Sequence, residues 1–342
     1  MTLPRRTFLG FTAVAALAAA GSALADPRRI LAPPDATAPA AGGRLPELER
    51  TMRQLRIGSA VQHGGLAVFW LTSTTPPSIL TIETPEDARA AGALTITERP
   101  APTVPELVVD NRGKAHVLLL AGEILVGGKQ NRVLREDILL PPLSGPRPIG
   151  VYCVEQGRWN EGRRDFESKS SFADPNLRRH VYDRADQQSV WSAVKGLTGH
   201  VAAASPTTSY QQAFETPAIR EHLGAAERAL DVKVTPDAVG AAVFVGTTLS
   251  GLDVFSAPGL FARQWTKLLR AHAVGAYAAA PPTLPPEVKL RATLQALLAV
   301  AGLASGSVRG NAGVGQIFEF GVERYRGAAL AYESGIVHAA IL

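Results

Sequence analysis

The chain has only one cysteine, Cys153, in 342 residues. An internal disulfide is therefore excluded, and so is a thiolate zinc site, which needs several cysteines. The seven histidines form no HxxxH or HExxH pair, so their spacing points to no metal. The G-x-S-x-G elbow of serine hydrolases is missing as well. No cluster of Lys and Arg interleaved with aromatics accompanies the modest net charge of +5, which argues against nucleic acid as a partner. No heptad pattern or internal repeat runs through the chain, so coiled coils and solenoids are excluded. The N-terminal apolar run, Phe8 to Ala20, falls short of the ~20 residues that span a bilayer.

What is present begins with Pro4-Arg5-Arg6-Thr7-Phe8-Leu9-Gly10, followed by an Ala-rich stretch closing on Ala23-Leu24-Ala25. Paired arginines ahead of a mildly hydrophobic segment are the pattern of a twin-arginine signal peptide, here residues 1–25. The expected location is periplasmic or secreted, with no stable membrane anchor once the signal is cleaved. Residues 26–44 are dense in Pro, Ala and Gly and read as a flexible leader. Residues 45–342, in a chain 46% hydrophobic, are expected to form one domain.

Strand-like runs bounded by Pro, Gly or Asn occur at Leu66–Thr72, Leu94–Glu98, Leu107–Asn111, Ala115–Val126, Arg132–Leu140 and Pro148–Glu155. Between Asp174 and Asp231 the apolar spacing turns helical, with Val190, Trp191, Val194 and Leu197 on one face. A buried-type strand after Ala238, helices over Pro258–Tyr277 and Pro286–Ala304, and strands at Gly315–Tyr325 and Ala328–Leu342 close the chain. Strands gathered at both ends around a helical middle predict an α+β fold, built on a largely antiparallel sheet or sandwich.

Two segments set polar groups beside apolar strands. In Gly122-Glu-Ile-Leu-Val-Gly127-Gly128-Lys129-Gln130-Asn131-Arg132, Glu123 follows an apolar run, and the glycine pair allows a turn that presents Lys129, Gln130 and Arg132. The run resembles a phosphate loop but fails it. Its spacing is one residue too long, and Gln130 stands where Ser or Thr should hold magnesium. In Val151-Tyr-Cys153-Val-Glu155-Gln-Gly157-Arg158-Trp159, a strand places Cys153 and Glu155 on one face. Arginine suits a phosphate or carboxylate, and Trp159 offers a stacking surface.

These two runs, with Gln187-Gln188-Ser189-Val190-Trp191, LAVFWLTS at Leu66 and the closing AALAYESGIVHAAIL, resemble the ADP-ribosylglycohydrolase- and rhodanese-phosphatase-associated protein domain. The resemblance implies a role in binding or processing ADP-ribose or a related nucleotide sugar. It carries over no catalytic set and no cofactor. The residues themselves suggest Glu123 and Glu155 as acid/base groups, with Lys129, Gln130, Arg132, Arg158 and Trp159 as ligand contacts. The alternative for the same residues is a buried network of Glu–Arg pairs that fixes strand register. Two other classes remain open. One is thiol chemistry at Cys153, whose Cys-x4-Arg spacing to Arg158 is reminiscent of a sulfurtransferase loop. The other is a non-enzymatic protein that binds an envelope ligand.

Overall fold

The computed structural model describes residues 40–75, 77–99, 103, 105–158, 164–202, 207–231, 234–278 and 283–342. The expected signal peptide, most of the expected leader and Trp159 lie outside the described residues. Among the described residues the chain forms eighteen strands and eight helices, and the fold is α+β.

The sequence run at Leu66 is apolar without alternation because the strand it forms, β3 (Leu66–Ser73), is covered on both faces. Leu66, Val68 and Trp70 enter one core while Ala67, Phe69 and Leu71 enter another. The same division holds for β13 (Ala238–Val245), which pairs with β3 antiparallel. These strands belong to a nine-stranded antiparallel sheet in the order β1-β15-β16-β17-β18-β14-β13-β3-β2. Its other members are β1 (Ala40–Arg44), β2 (Leu55–His63), β14 (Thr248–Phe255), β15 (Ser305–Arg309), β16 (Gln316–Val322), β17 (Tyr325–Tyr332) and β18 (Gly335–Ile341). First-half and last-half strands thus share one ladder. The expected leader gives its last five residues to this sheet, since β1 pairs with β15.

Helices α1 (Pro46–Gln54) and α8 (Glu287–Gly302) cover one face through Leu48, Met52, Leu290, Leu294, Leu297 and Leu298. On the other face lies α7 (Pro258–Ala278), which sends Phe261, Trp265, Leu268 and Leu269 into the second core. That core also takes the helical middle: α3 (Pro175–Tyr182), α4 (Gln187–His200), α5 (Tyr210–Glu215) and α6 (Pro217–Leu230). Asp174, Asp186 and Thr216 cap α3, α4 and α6 with their side-chain oxygens. On α4, Val190, Val194 and Leu197 are buried, as the spacing predicts, while Trp191 is only half-buried.

The remaining strands form two smaller sheets. One is β10 (Ile138–Leu140), β7 (His116–Leu119) and β4 (Ile82–Glu83). The other runs β12 (Phe166–Phe172), β8 (Glu123–Gly127), β9 (Arg132–Leu134), β11 (Gly145–Cys153), β6 (Glu106–Asn111) and β5 (Leu94–Thr97). A third core, with Val117, Leu119, Leu125, Leu134, Ile138, Leu140 and Val151, fills the space between them.

Three sequence expectations are corrected at this level. Ala115–Val126 is two strands, because Gly122 takes φ +98° and turns the chain between β7 and β8. A side chain there would also meet the Cγ of Arg178 at 2.8 Å. Arg132–Leu140 is likewise split into β9 and β10, around a bend that carries Arg135, Glu136 and Asp137. The third strand, β11, ends at Cys153, and Glu155 instead makes an isolated bridge with Ser209.

Candidate functional site

The two polar segments singled out in the sequence come together through β8, β9 and β11 in one cluster, from which only Glu123 is separate. Positive φ at Gly127 and Gly128 turns β8 into β9, as the glycine pair predicts. The turn delivers Gln130, Arg132 and their neighbours to the end of β11. Gln130 Nε2 donates to the Glu155 carbonyl at 3.0 Å, and the Cys153 thiol donates to the Gln130 side-chain oxygen at 3.2 Å. Glu155 pairs with Arg158 at 2.7 Å and accepts from the Asn131 backbone N–H and the Thr207 hydroxyl. Arg158 also donates to the carbonyls of Gly127 and Gly128. The backbone N–H of Lys129 is held by Glu98. Arg132 is fully buried, donates to the Gln130 carbonyl at 2.9 Å, and leaves Nε and Nη2 without partners. Burial pulls its guanidinium below the usual range, against the pull of Cys153 and Glu98.

Glu123 stands apart from this cluster. Fully buried, it faces Lys267 of α7 at 2.9 Å, and Lys267 also reaches Glu86 at 3.1 Å. Burial raises the Glu123 carboxyl above its ordinary range, with Glu86 adding to the rise. Burial works against the Lys267 ammonium too, but the two carboxylates outweigh it and keep that side chain charged. The pattern of α7 could have revealed this lysine: Gln264 and Lys267 sit on the buried stripe continued by Ala271 and Val274.

A third polar network was not visible in the sequence. Arg178 of α3 grips Asp253 of β14 with two hydrogen bonds, at 2.9 and 2.5 Å. His338 of β18 lies between Asp253, 3.1 Å from Nε2, and Asp137, 2.6 Å from Nδ1. Asp137 also accepts the Ala121 backbone N–H at 2.8 Å. All four side chains are buried. With a carboxylate at each ring nitrogen, His338 carries both protons. Burial alone would lower its pKa, but Asp137 and Asp253 raise it to about 9. Asp253 is held well below the usual carboxylate range because Arg178 and His338 overcome its burial. The chain Arg178–Asp253–His338–Asp137 therefore alternates in sign and sums to zero. The only sequence signal was a lone histidine in the apolar run of β18.

Next to Asp137 in the chain, Arg135 and Glu136 line a solvent-reachable cleft. The cleft lies between the bend after β9, the start of α3–α4 connection at Arg184, and β15–β16. The cleft, about 270 Å³, is lined by Glu106, Arg135, Glu136, Arg184 and Arg309 together with Gly150 and Asn311. Arg309 pairs with Glu136 and, at 3.0 Å, with Glu319, which also takes Arg184 at 2.7 Å. Arg135 lies over the Tyr152 ring, 4.6 Å from its centre, and has no carboxylate partner among the described residues. The arrangement can bind an anion on a guanidinium that is held in place by stacking and not by a counter-charge. Among the described residues no group of three or more His, Cys, Asp and Glu side chains is arranged to hold a metal. No helix there is long and apolar enough to cross a membrane.

No curated protein and no solved structure matches the chain. The family model for the ARG and Rhodanese-Phosphatase-superfamily-associated Protein domain matches residues 54–342, a span that includes all three polar networks and the cleft, and the chain belongs to that family.

Proposed function

We propose that the protein binds a small phosphate-bearing metabolite in the Arg135–Arg309 cleft, with ADP-ribose or a related nucleotide sugar as the compound class. The observation that carries this reading is Arg135, a cleft-lining guanidinium that pairs with no carboxylate among the described residues. Arginine's planar fork suits a phosphate, and Arg184 and Arg309 stand on the same walls. The family's association, by name, with ARG and rhodanese-phosphatase proteins supports the compound class but supplies no reaction. In this reading Glu155 and Arg158 hold the β8–β9 turn against β11, and Glu123 and Lys267 hold α7 against β8.

Thermal unfolding of the full chain with ADP-ribose, NAD, AMP and ribose 5-phosphate tests the proposal. A ligand at a hundred times its Kd adds ~2.7 kcal/mol of stability. Stabilisation of the wild type that is lost in Arg135→Ala supports the cleft. Stabilisation that survives Arg135→Ala but is lost in Arg158→Ala moves the site to the Glu155 cluster. Export belongs to the same proposal, and replacing Arg5 and Arg6 by Lys should keep the protein in the cytoplasm on cell fractionation.

A further inference from the structure

The groove continues past Arg184 and Arg309. Arg184 also lines a second lobe of about 360 Å³, whose walls include Asp183, Ser305, Ser307, Glu319 and Arg326. A hollow of about 20 Å³ joins the two, sharing Arg309 with the cleft and Glu319 with the second lobe. The floor is the surface of β15–β17. Alternation along β15 puts Ser305, Ser307 and Arg309 on one face, with Ser307 opposite Glu319 of β16 and Gly321 of β16 opposite Arg326 of β17. The opposite face of β16 carries Phe318 and Phe320 into the core. Beyond the end of α3 at Tyr182 the groove face is built from short side chains, and a side chain at Gly321 would meet only the Arg326 guanidinium, at 3.7 Å.

The two lobes differ in charge. The first has Arg135, which pairs with no carboxylate among the described residues. In the second, Arg184 pairs with Glu319 and Arg326 with Asp183, so the four charges sum to zero. Arg184 and Arg309 both donate to Glu319 Oε1, and Arg326 donates to Asp183 Oδ1, which leaves the second oxygen of each partly exposed carboxylate to accept from a ligand. Carboxylate acceptors beside serine hydroxyls suit the hydroxyl groups of an uncharged polyol, and suit neither a second phosphate nor an apolar chain.

We infer that the ligand is elongated and lies along β15, with its phosphate at Arg135 and Arg309 and an uncharged sugar in the second lobe. The inference rests on the proposed anion site at Arg135. Four residue steps of β15 separate Ser305 from Arg309, about 14 Å of extended chain. A pentose phosphate covers only part of that length, whereas a sugar joined to a nucleoside through a diphosphate spans it. Contacts in both lobes then reinforce each other, because the phosphate end holds the sugar end at high local concentration.

Isothermal titration of the full chain with ADP-ribose and with inorganic pyrophosphate, which keeps the two phosphates and lacks both sugars, tests this. ADP-ribose should bind at least about tenfold more tightly than pyrophosphate. Gly321→Leu, which fills the second lobe from its floor, should weaken ADP-ribose at least about tenfold and leave pyrophosphate within about twofold of the wild type. Ser305→Leu, which fills the same lobe from β15, should do the same. Arg135→Ala should weaken both ligands alike. Equal affinities in the wild type, or ADP-ribose binding untouched by both lobe-filling variants, would overturn the inference and leave the anion site standing. Loss of pyrophosphate binding in both variants would also overturn it, since the lobe would not be separate from the anion site. Absence of binding by either compound to the wild type would overturn both readings.

Discussion

The Arg178–Asp253–His338–Asp137 chain is sealed, whereas the Arg135–Glu136–Arg309–Glu319 set, built from similar groups, is only partly buried. In the first, every side chain is buried and each charge touches its opposite. In the second, Arg309 and Glu319 are only partly buried and Arg135 is left over. Water screens the second set, so its pairs hold little stability and the unpaired Arg135 is open to a ligand. The first set cannot lose a member without leaving an unscreened charge behind. The difference separates structural electrostatics from binding electrostatics within one protein.

The sharpest way to break this contrast is Arg178→Ala. It leaves Asp253 buried without its bidentate partner and should cost about 3–5 kcal/mol in urea unfolding. A cost below about 1 kcal/mol would show that Asp253 finds another partner and that the chain is not a closed unit.

A slightly smaller effect is expected from pH. His338 has a pKa of about 9 in the fold against an ordinary 6.5, so its contribution is complete below pH 6.5 and is lost as pH rises through about 9. The loss should be on the order of 3 kcal/mol between those values. His338→Gln should remove this alkaline decline while lowering stability at neutral pH. At the acid end the sign reverses. Asp253 is depressed in the fold, so its share is present above the ordinary aspartate range and disappears as the carboxylate is protonated. His272, lowered to about 4 by burial, adds to the loss between pH 6.5 and 4.

Glu155→Gln should cost about 1–3 kcal/mol, since it weakens the hold on Arg158, the Asn131 N–H and Thr207 while keeping the shape. In the same cluster Cys153 is fully buried, so a thiol reagent should label it only at the rate of unfolding. Rapid labelling of the folded protein would reopen thiol chemistry. The smallest stability effect belongs to Arg135→Ala, within about 0.5 kcal/mol, with its consequence confined to ligand binding.

Much of the fold was legible because it rests on local periodicity. The unbroken LAVFWLT run is a strand covered on both faces, and the helices of the middle and of α7 and α8 fall close to where spacing places them. The breaks in Ala115–Val126 and Arg132–Leu140 were not legible. Both depend on contacts from distant elements, Arg178 over Gly122 and His338 on Asp137. The site divides in the same way. The Gly127–Arg132 and Cys153–Arg158 runs were readable as polar clusters, because two glycines and a strand end are local signals. That Glu123 turns to Lys267, 144 residues away, was not.

By itself, the sequence determined the α+β class, the absence of disulfides, and the segments where polar groups meet strands, since each follows from composition or from a period of 2 or 3.6 residues. Tertiary structure decided which charges are sealed and which face the cleft. Burial of a charge depends on partners brought from residues 121, 137, 178, 253 and 338 by the pairing of β14 with β18 and the packing of α3. No local pattern contains that information, because the free energy of a buried charge is set by the groups around it and not by its neighbours in the chain.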